Sequence, residues 1–393
     1  MVANIGPTWV EVDLDAVAHN LKIVRQIIRP GVKVMAVVKA DAYGHGALSV
    51  AELLVNEGIE YLGVFTLQEA VELRAGGIKK PIVLLGAIAP DQAAQVVSLD
   101  IEASVSSVDV AEALGKAAIE RGKRVRVHVE VDTGMNRFGI RPCDAESFMD
   151  ALGAIAGIEI YGLYTHFAHH KKEQNRRQLR QFQAVISRLD EKGLRPKLLH
   201  AANSTAMLTL PESHFDMVRV GNILYGIAPG VPSVAKKLQP TWRLKSKVVQ
   251  LRQVAKGQGV GYGSDFIAPR DMKVAVLAVG LADGFMLDVE RPVCKWSDLV
   301  RYLLRAGIRG WRMLRNGNGI TVRNVQARLV GRVGMQHCVI DVSNIKEIRI
   351  GDMVSLPCRW TAVPPHVPRV YIREGQPNRI ALPVERQFLT LES

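Results

Sequence analysis

Hydrophobic positions along this chain fall into two textures. From about residue 14 to residue 230, short apolar runs alternate with stretches of helical period. Leu14, Val17, Leu21, Val24 and Ile28 recur every three or four positions. That spacing predicts an amphipathic helix, with Asp13 as its cap. Residues 34–38 are apolar throughout, as expected of a strand buried on both faces. Similar runs at 60–65, 82–85, 101–105, 125–131, 158–164, 197–200 and 216–219 predict further strands, with helices such as 107–121 and 173–193 between them. Eight strands alternating with helices predict a parallel (β/α)8 barrel of the TIM type. A doubly wound open sheet is the alternative, because periodicity does not show closure. Near Pro240 the texture changes. Segments 242–252, 273–280, 326–333, 337–342 and 379–385 are short, rich in Val and Ile, and broken by Gly, Pro and Asn. They predict a mostly-β domain. The fold class expected is therefore α/β, with a barrel domain at 1–240 and a β-rich domain at 241–393. A length of 393 residues suits two domains.

Composition changes this picture little. The chain is 48% hydrophobic and 23% charged, ordinary for a globular protein. No apolar run approaches a membrane span, and the first residues lack the basic-then-apolar pattern of a secretory signal. Cys143, Cys294, Cys338 and Cys358 are widely spaced without a CxxC pair. That argues against a zinc site and for free thiols in a cytoplasmic protein. No metal is expected. The net charge of +13 raises nucleic acid or an anionic membrane as partners. Much of the excess is local, however. Residues 291–315 carry seven Lys or Arg and one acid, Asp298, and Trp296, Leu299, Val300, Leu303 and Leu304 make one helical face. We expect a surface helix packed on the β domain and no nucleic-acid partner. Membrane contact through 291–315 is the less favoured reading.

Polar residues cluster at the C-terminal ends of the expected barrel strands, where such barrels build active sites. Lys39 ends the first strand. Its amine is expected to be partly desolvated, which disfavours the charged form and leaves a nucleophile. Tyr43, Gly44 and Gly46 follow, a hydroxyl and two glycines that let backbone approach a ligand. Arg137 follows the fifth strand, His166 the sixth, Asn203 and Ser204 the seventh, and Arg219, Gly221 and Asn222 the eighth. Each alone has an ordinary explanation: a core histidine, an ion-pair arginine, a helix cap, a turn glycine. Their convergence on one barrel face points to a site, with phosphate held by the loops after strands seven and eight.

The stretch AVVKADAYGHG at 36–46 resembles the cofactor-lysine motif of the alanine racemase family. The motifs around Arg137, His166, Asn203 and Arg219, and Gly261-Tyr262-Gly263, are similar to that family at the matching places. The resemblance spans residues 8–385, with an insertion near 291–316. It implies a pyridoxal 5′-phosphate (PLP) enzyme that interconverts L- and D-alanine, supplying D-alanine for peptidoglycan. It also implies a homodimer whose sites borrow residues from the partner's β domain. By the same resemblance Lys39 is the Schiff-base lysine and one catalytic base, and Tyr262 is the other. Arg219 faces the pyridine nitrogen, with His166 supporting it. Tyr43, Asn203, Ser204, Gly221 and Asn222 contact the cofactor, and Arg137 and Met335 meet the substrate. Two bases on opposite faces suit a reaction that removes a proton from one side and returns it on the other. A tyrosine base needs positive charge nearby.

The resemblance is not complete. Glu130 stands where the family has a lysine, often carbamylated. Leu281 replaces a tyrosine of the access channel, and Gln336 replaces an aspartate. A tyrosine that helps hold the phosphate is replaced near Pro365. These departures leave a broad-specificity or non-alanine racemase as the alternative, and a non-catalytic PLP-binding homologue as a weaker one. An acidic partner at the pyridine nitrogen would point to decarboxylation, and Arg219 argues against it.

Overall fold

The computed structural model describes residues 5–169, 171–287, 296–316 and 319–382. They form two compact units, one of Leu14–Thr241 and one joining Met1–Asp13 to Trp242–Ser393. The chain opens with strand β1 (Thr8–Asp13), which belongs to the second of these.

In the first unit, strands β2 (Lys33–Val37), β3 (Tyr61–Val64), β4 (Ile82–Leu84), β5 (Glu102–Val105), β6 (Val125–Glu130), β7 (Ile158–Tyr164), β8 (Leu198–His200) and β9 (Met217–Val220) pair in parallel, in that order. The last returns to the first, with Lys33 opposite Met217 and Ala36 opposite Val220. That pairing closes the barrel and removes the open-sheet alternative. Continuous apolar strands were legible because helices and barrel interior cover both faces. Met35, Tyr61, Val83, Leu198 and Met217 pack together inside. Helices follow the strands, among them Val108–Glu120 and Lys172–Glu191. Thr66 starts the helix Leu67–Ala75 with a reciprocal cap: its side chain accepts from the Glu69 amide, and the Glu69 side chain accepts from the amide of Thr66.

The second unit is a β-structure of β10 (Trp242–Val254), β11 (Gly259–Val260), β12 (Phe266–Ile267), β13 (Met272–Leu277), β14 (Ile320–Val322), β15 (Val325–Val330), β16 (Cys338–Asp341), β17 (Met353–Leu356), β18 (Arg369–Arg373) and β19 (Gln376–Ala381). Its large sheet runs β13-β16-β15-β14-β17-β10-β1-β18-β19, and β11 and β12 form a separate ribbon. β1 lies between β10, antiparallel, and β18, parallel. The break between Thr241 and Trp242 falls one residue after the expected boundary. The expected barrel domain 1–240 is corrected at its start, because residues up to Asp13 belong with the β unit. Nothing local to β1 announces partners so far along the chain.

The helix Trp296–Asn316 departs from expectation. Trp296 is 79% exposed, Leu303 59% and Leu304 61%, so these side chains are not packed on the β-sheet. Arg301 pairs with Asp298 one turn back, a contact within the helix that requires no neighbour. Residues 291–295 of the expected basic stretch lie outside the described residues. Among the described residues no helix is long and apolar enough to cross a membrane.

Candidate functional site

The loop after β2 carries an unusual backbone. Ala40, Asp41, Ala42 and Tyr43 all have positive φ, between 51° and 57°, and form a left-handed turn. Left-handed geometry costs roughly 1–2 kcal/mol for each non-glycine residue, so the surroundings must hold it. The Ala42 amide donates to Val38 O at 2.8 Å, and the Ala47 amide to the Asp41 carboxylate at 2.7 Å. The Ala40 amide donates to Glu69 at 2.7 Å. Strain held in this way is characteristic of functional loops.

Lys39, Tyr43, His166, Asn203, Ser204, Arg219, Gly221 and Asn222 all line one cavity of about 260 Å³ at the C-terminal ends of the barrel strands, together with Arg137 and Glu130. The Lys39 ammonium lies 5.0 Å from the Phe65 ring centre. Desolvation holds its pKa below the usual lysine value, Arg137 lowers it further, and Glu69 partly opposes the shift. Arg137 lies over Phe65 and Phe138, 5.7 and 5.3 Å from their centres. Its loop is fixed by Asp132, whose carboxylate accepts from the amides of Gly134, Met135 and Asn136 at 2.8–3.1 Å.

The cavity floor suits a phosphate-bearing group. Ser204 Oγ accepts from the Gly221 amide at 3.1 Å. Asn203 caps the following short helix by accepting from the Ala206 amide at 3.0 Å. A Cβ at Gly221 would stand 2.7 Å from the Tyr43 hydroxyl, so only glycine leaves that space open. Tyr43 packs on Tyr225 with ring centres 5.0 Å apart, and burial raises its pKa, keeping the hydroxyl a donor.

Arg219 is almost fully buried. It donates to Thr165 O at 2.8 Å, Ala201 O at 3.1 Å and His200 Nδ1 at 2.8 Å, and lies 3.4 Å from His166 Nδ1. Burial lowers its pKa to about 10, still well above neutrality. Burial, then Arg219, Arg137 and Lys39, push His166 down to about 3, so its ring is neutral at physiological pH.

Glu130 is also buried, and it accepts from the Tyr164 hydroxyl at 2.9 Å. Burial raises its pKa, opposed by Tyr164, Arg219 and Arg137. Among the described residues no ion pair joins Glu130 to Arg137. A glutamate is shorter than a carbamylated lysine, and its carboxylate ends at Tyr164. Several contributors were not singled out from sequence: Phe65 and Leu85 on the cavity wall, Tyr164 against Glu130, and His200 behind Arg219. The histidine at the end of an otherwise apolar strand was the available signal for the last.

Tyr262 and Met335 belong to the β unit. Tyr262 follows Gly261, whose φ is 77°, and is 70% exposed; Met335 is 65% exposed. Their supports are local. The amides of Leu281 and Ala282 donate to Gly334 O and Met335 O at 3.0 and 2.8 Å, so the segments carrying Leu281 and Gln336 are hydrogen-bonded neighbours. Asp265 pairs with Arg332 beside the Tyr262 turn. Among the described residues no group of His, Cys, Asp and Glu is arranged to hold a metal.

Comparison with known proteins agrees with this architecture. Residues 12–229 match the model for the alanine racemase N-terminal domain, and residues 241–301 that for the C-terminal domain. An alanine racemase of Desulfovibrio desulfuricans is 38% identical over 360 residues, covering 91% of this chain and 90% of its own. One from Methanococcus maripaludis is 35% identical, covering 89% and 88%. The solved alanine racemase of Clostridium difficile 630 superposes with a TM-score of 0.85 at 28% identity, covering 97% of this chain and 99% of its own. That of Bacillus anthracis with bound L-Ala-P gives 0.80 at 29% identity, covering 96% and 97%. Barrel, β unit and relatives together define an isomerase of the amino-acid racemase class. The chain belongs to the alanine racemase family.

Proposed function

We propose that this protein interconverts L- and D-alanine with PLP, by a two-base mechanism, as a cytoplasmic homodimer supplying D-alanine for peptidoglycan. The observation that carries the cofactor reading is one cavity holding a lysine of lowered pKa, a buried arginine and the Tyr43–Ser204–Gly221 cradle. A group with a phosphate at one end and an aldehyde at the other matches that set. Lys39 would hold it covalently; Tyr43, Asn203, Ser204, Gly221 and Asn222 would hold its phosphate end; Arg219, supported by His166, would face its ring nitrogen. When bound it supplies an electron sink that acidifies the α-proton of the amino acid.

The chain's own residues then divide the work. Lys39, with its amine desolvated, moves a proton on one face of the substrate. Tyr262 from the second copy moves one on the other face. Arg137 and the Met335 segment orient the substrate carboxylate. Arg219 stays cationic at neutral pH and disfavours protonation of the ring nitrogen, which restrains side reactions. Incubating the PLP-loaded protein with each enantiomer of a panel of amino acids, and following optical rotation and carbon dioxide release, tests the reading. Alanine is expected to lose rotation fastest, without release of carbon dioxide. Faster loss with a larger side chain would favour the broader racemase suggested by Leu281 and Gln336.

Two further outcomes are expected. Glu130 provides its negative charge without carbamylation, so turnover is insensitive to added bicarbonate. Glu130→Gln keeps an oxygen for Tyr164 but loses the charge, and kcat/KM falls about tenfold. Equal turnover and KM in wild type and variant would remove Glu130 from the catalytic electrostatics. The helix Trp296–Asn316 contributes surface. Replacing residues 293–314 with a short Gly-Ser loop leaves the visible spectrum of the PLP-loaded protein unchanged and lowers turnover by at most about twofold, within the usual range for surface changes.

A further inference from the structure

Behind Arg219 a line of buried polar groups crosses the barrel interior. Arg219 Nη1 meets His200 Nδ1 at 2.8 Å. His200 Nε2 meets His128 Nδ1 at 3.0 Å. His128 Nε2 meets Glu102 Oε2 at 2.8 Å. His128 and His200 are fully buried, and Arg219 and Glu102 nearly so. Glu102 begins β5 and Arg219 lies within β9, so the line runs from the N-terminal end of the barrel toward the cavity. Space for it is built in. A Cβ at Gly162 on β7 would stand 2.1 Å from His128 Nδ1, so the neighbouring strand carries no side chain where that ring lies.

The donors and acceptors of this line admit one direction. A guanidinium only donates, so His200 Nδ1 must accept and His200 carries its proton on Nε2. That N–H points at His128 Nδ1, which must then accept, and His128 carries its proton on Nε2. A carboxylate only accepts, so Glu102 receives this last proton donor. Either ring in the other tautomer sets two donors or two acceptors face to face in a dry interior. A doubly protonated His200 would set N–H against Arg219. The other oxygen of Glu102 lies 3.4 Å from Arg126, which also pairs with Glu159 at 3.3 Å and lies over Tyr161.

We propose that Glu102 is a positioning residue for the reaction: through His128 and His200 its carboxylate fixes the tautomers that hold the Arg219 guanidinium in place at the cavity. Glu102 touches neither substrate nor cofactor. His200, Thr165 O, Ala201 O and His166 take part of the N–H set of Arg219, and among the described residues its Nε–H has no hydrogen-bond partner. Without the anion, the His128 Nε2–H is buried with no acceptor. The reversed tautomers then become competitive, and they break the bond from Arg219 to His200. Arg219 loosens where the electron sink must be held. This role rests on the racemase reading, while the hydrogen-bond line itself does not.

The test uses full-length protein with ¹⁵N-labelled histidine, first without cofactor, so that its outcome is independent of activity. Long-range ¹H–¹⁵N spectra are expected to show His128 and His200 neutral and protonated on Nε2. Either ring protonated on Nδ1, or on both nitrogens, near neutral pH overturns the proposal, with no variant needed. In Glu102→Leu, both tautomers should appear at His128. The PLP-loaded variant should lose roughly 10- to 100-fold in kcat with KM changed less than about threefold. Glu102→Gln, whose amide oxygen still accepts, should restore the wild-type tautomers and most of the turnover. Glu159→Gln, at the other carboxylate on Arg126, should move neither. Wild-type tautomers and turnover in Glu102→Leu would sink the idea, as would a loss in Glu102→Gln or Glu159→Gln equal to that in Glu102→Leu. Expected tautomers in a protein that racemises no amino acid would instead overturn the proposed function and leave the line of bonds standing.

Discussion

Borohydride reduction of the PLP-loaded protein leaves the label on Lys39, and a peptide map recovers it there. The visible absorbance of the loaded protein is lost on reduction. Lys39→Ala loses both the absorbance and the racemisation, with turnover down by about 10²–10⁴ or more. This expectation rests on the desolvated amine beside Arg137 and the Phe65 ring. Among the described residues no other lysine lines the cavity. A label recovered on a different lysine would overturn the site assignment, whatever the activity.

Tyr262→Phe is expected to keep PLP bound and to lower racemisation by about 10²–10⁴. Exchange of the α-proton from one enantiomer survives, because Lys39 still serves its own face. If the two bases come from different copies, each single variant spoils a different half of every site. Mixing Lys39→Ala with Tyr262→Phe protein then produces hybrid dimers in which one site has both defects and the other has neither. Random exchange of equal amounts makes half the dimers hybrid, so recovery rises to about a quarter of wild-type activity. Exchange verified by mass, with no recovery, would show that each site is built from a single chain.

The barrel was legible in the sequence because its strands are covered on both faces, which leaves continuous apolar runs such as 34–38. Closure was not, since the same runs serve an open sheet; the register of Lys33 on Met217 decides it. Residues at the strand ends were legible as polar groups following apolar runs. Their supports were harder to see. The four-residue left-handed turn at Ala40–Tyr43 contains no glycine, the usual signal for positive φ. Glu102 and His128 sit within strands, where a polar residue reads as an outward-facing one until the barrel turns it inward. Glu130 was noted as a departure, but its partner Tyr164 could not be paired with it without the register of β6 on β7. In the β unit, β14, β17 and β18 were missed, being three to five residues long with weak alternation.

Strand β1 carries a consequence for how the chain comes off the ribosome. It is synthesised before the barrel, yet its neighbours β10 and β18 begin at Trp242 and Arg369. At about 5–20 residues per second, β1 emerges on the order of ten seconds to a minute before its neighbours. Trp9, Val10 and Val12, buried once folding ends, are solvent-facing through that interval, on a strand with both edges unpaired. Meanwhile the whole of Leu14–Thr241 has emerged and can close. The nascent chain thus carries an apolar strand with both edges unpaired, a feature that invites strand exchange between neighbours on the same polysome.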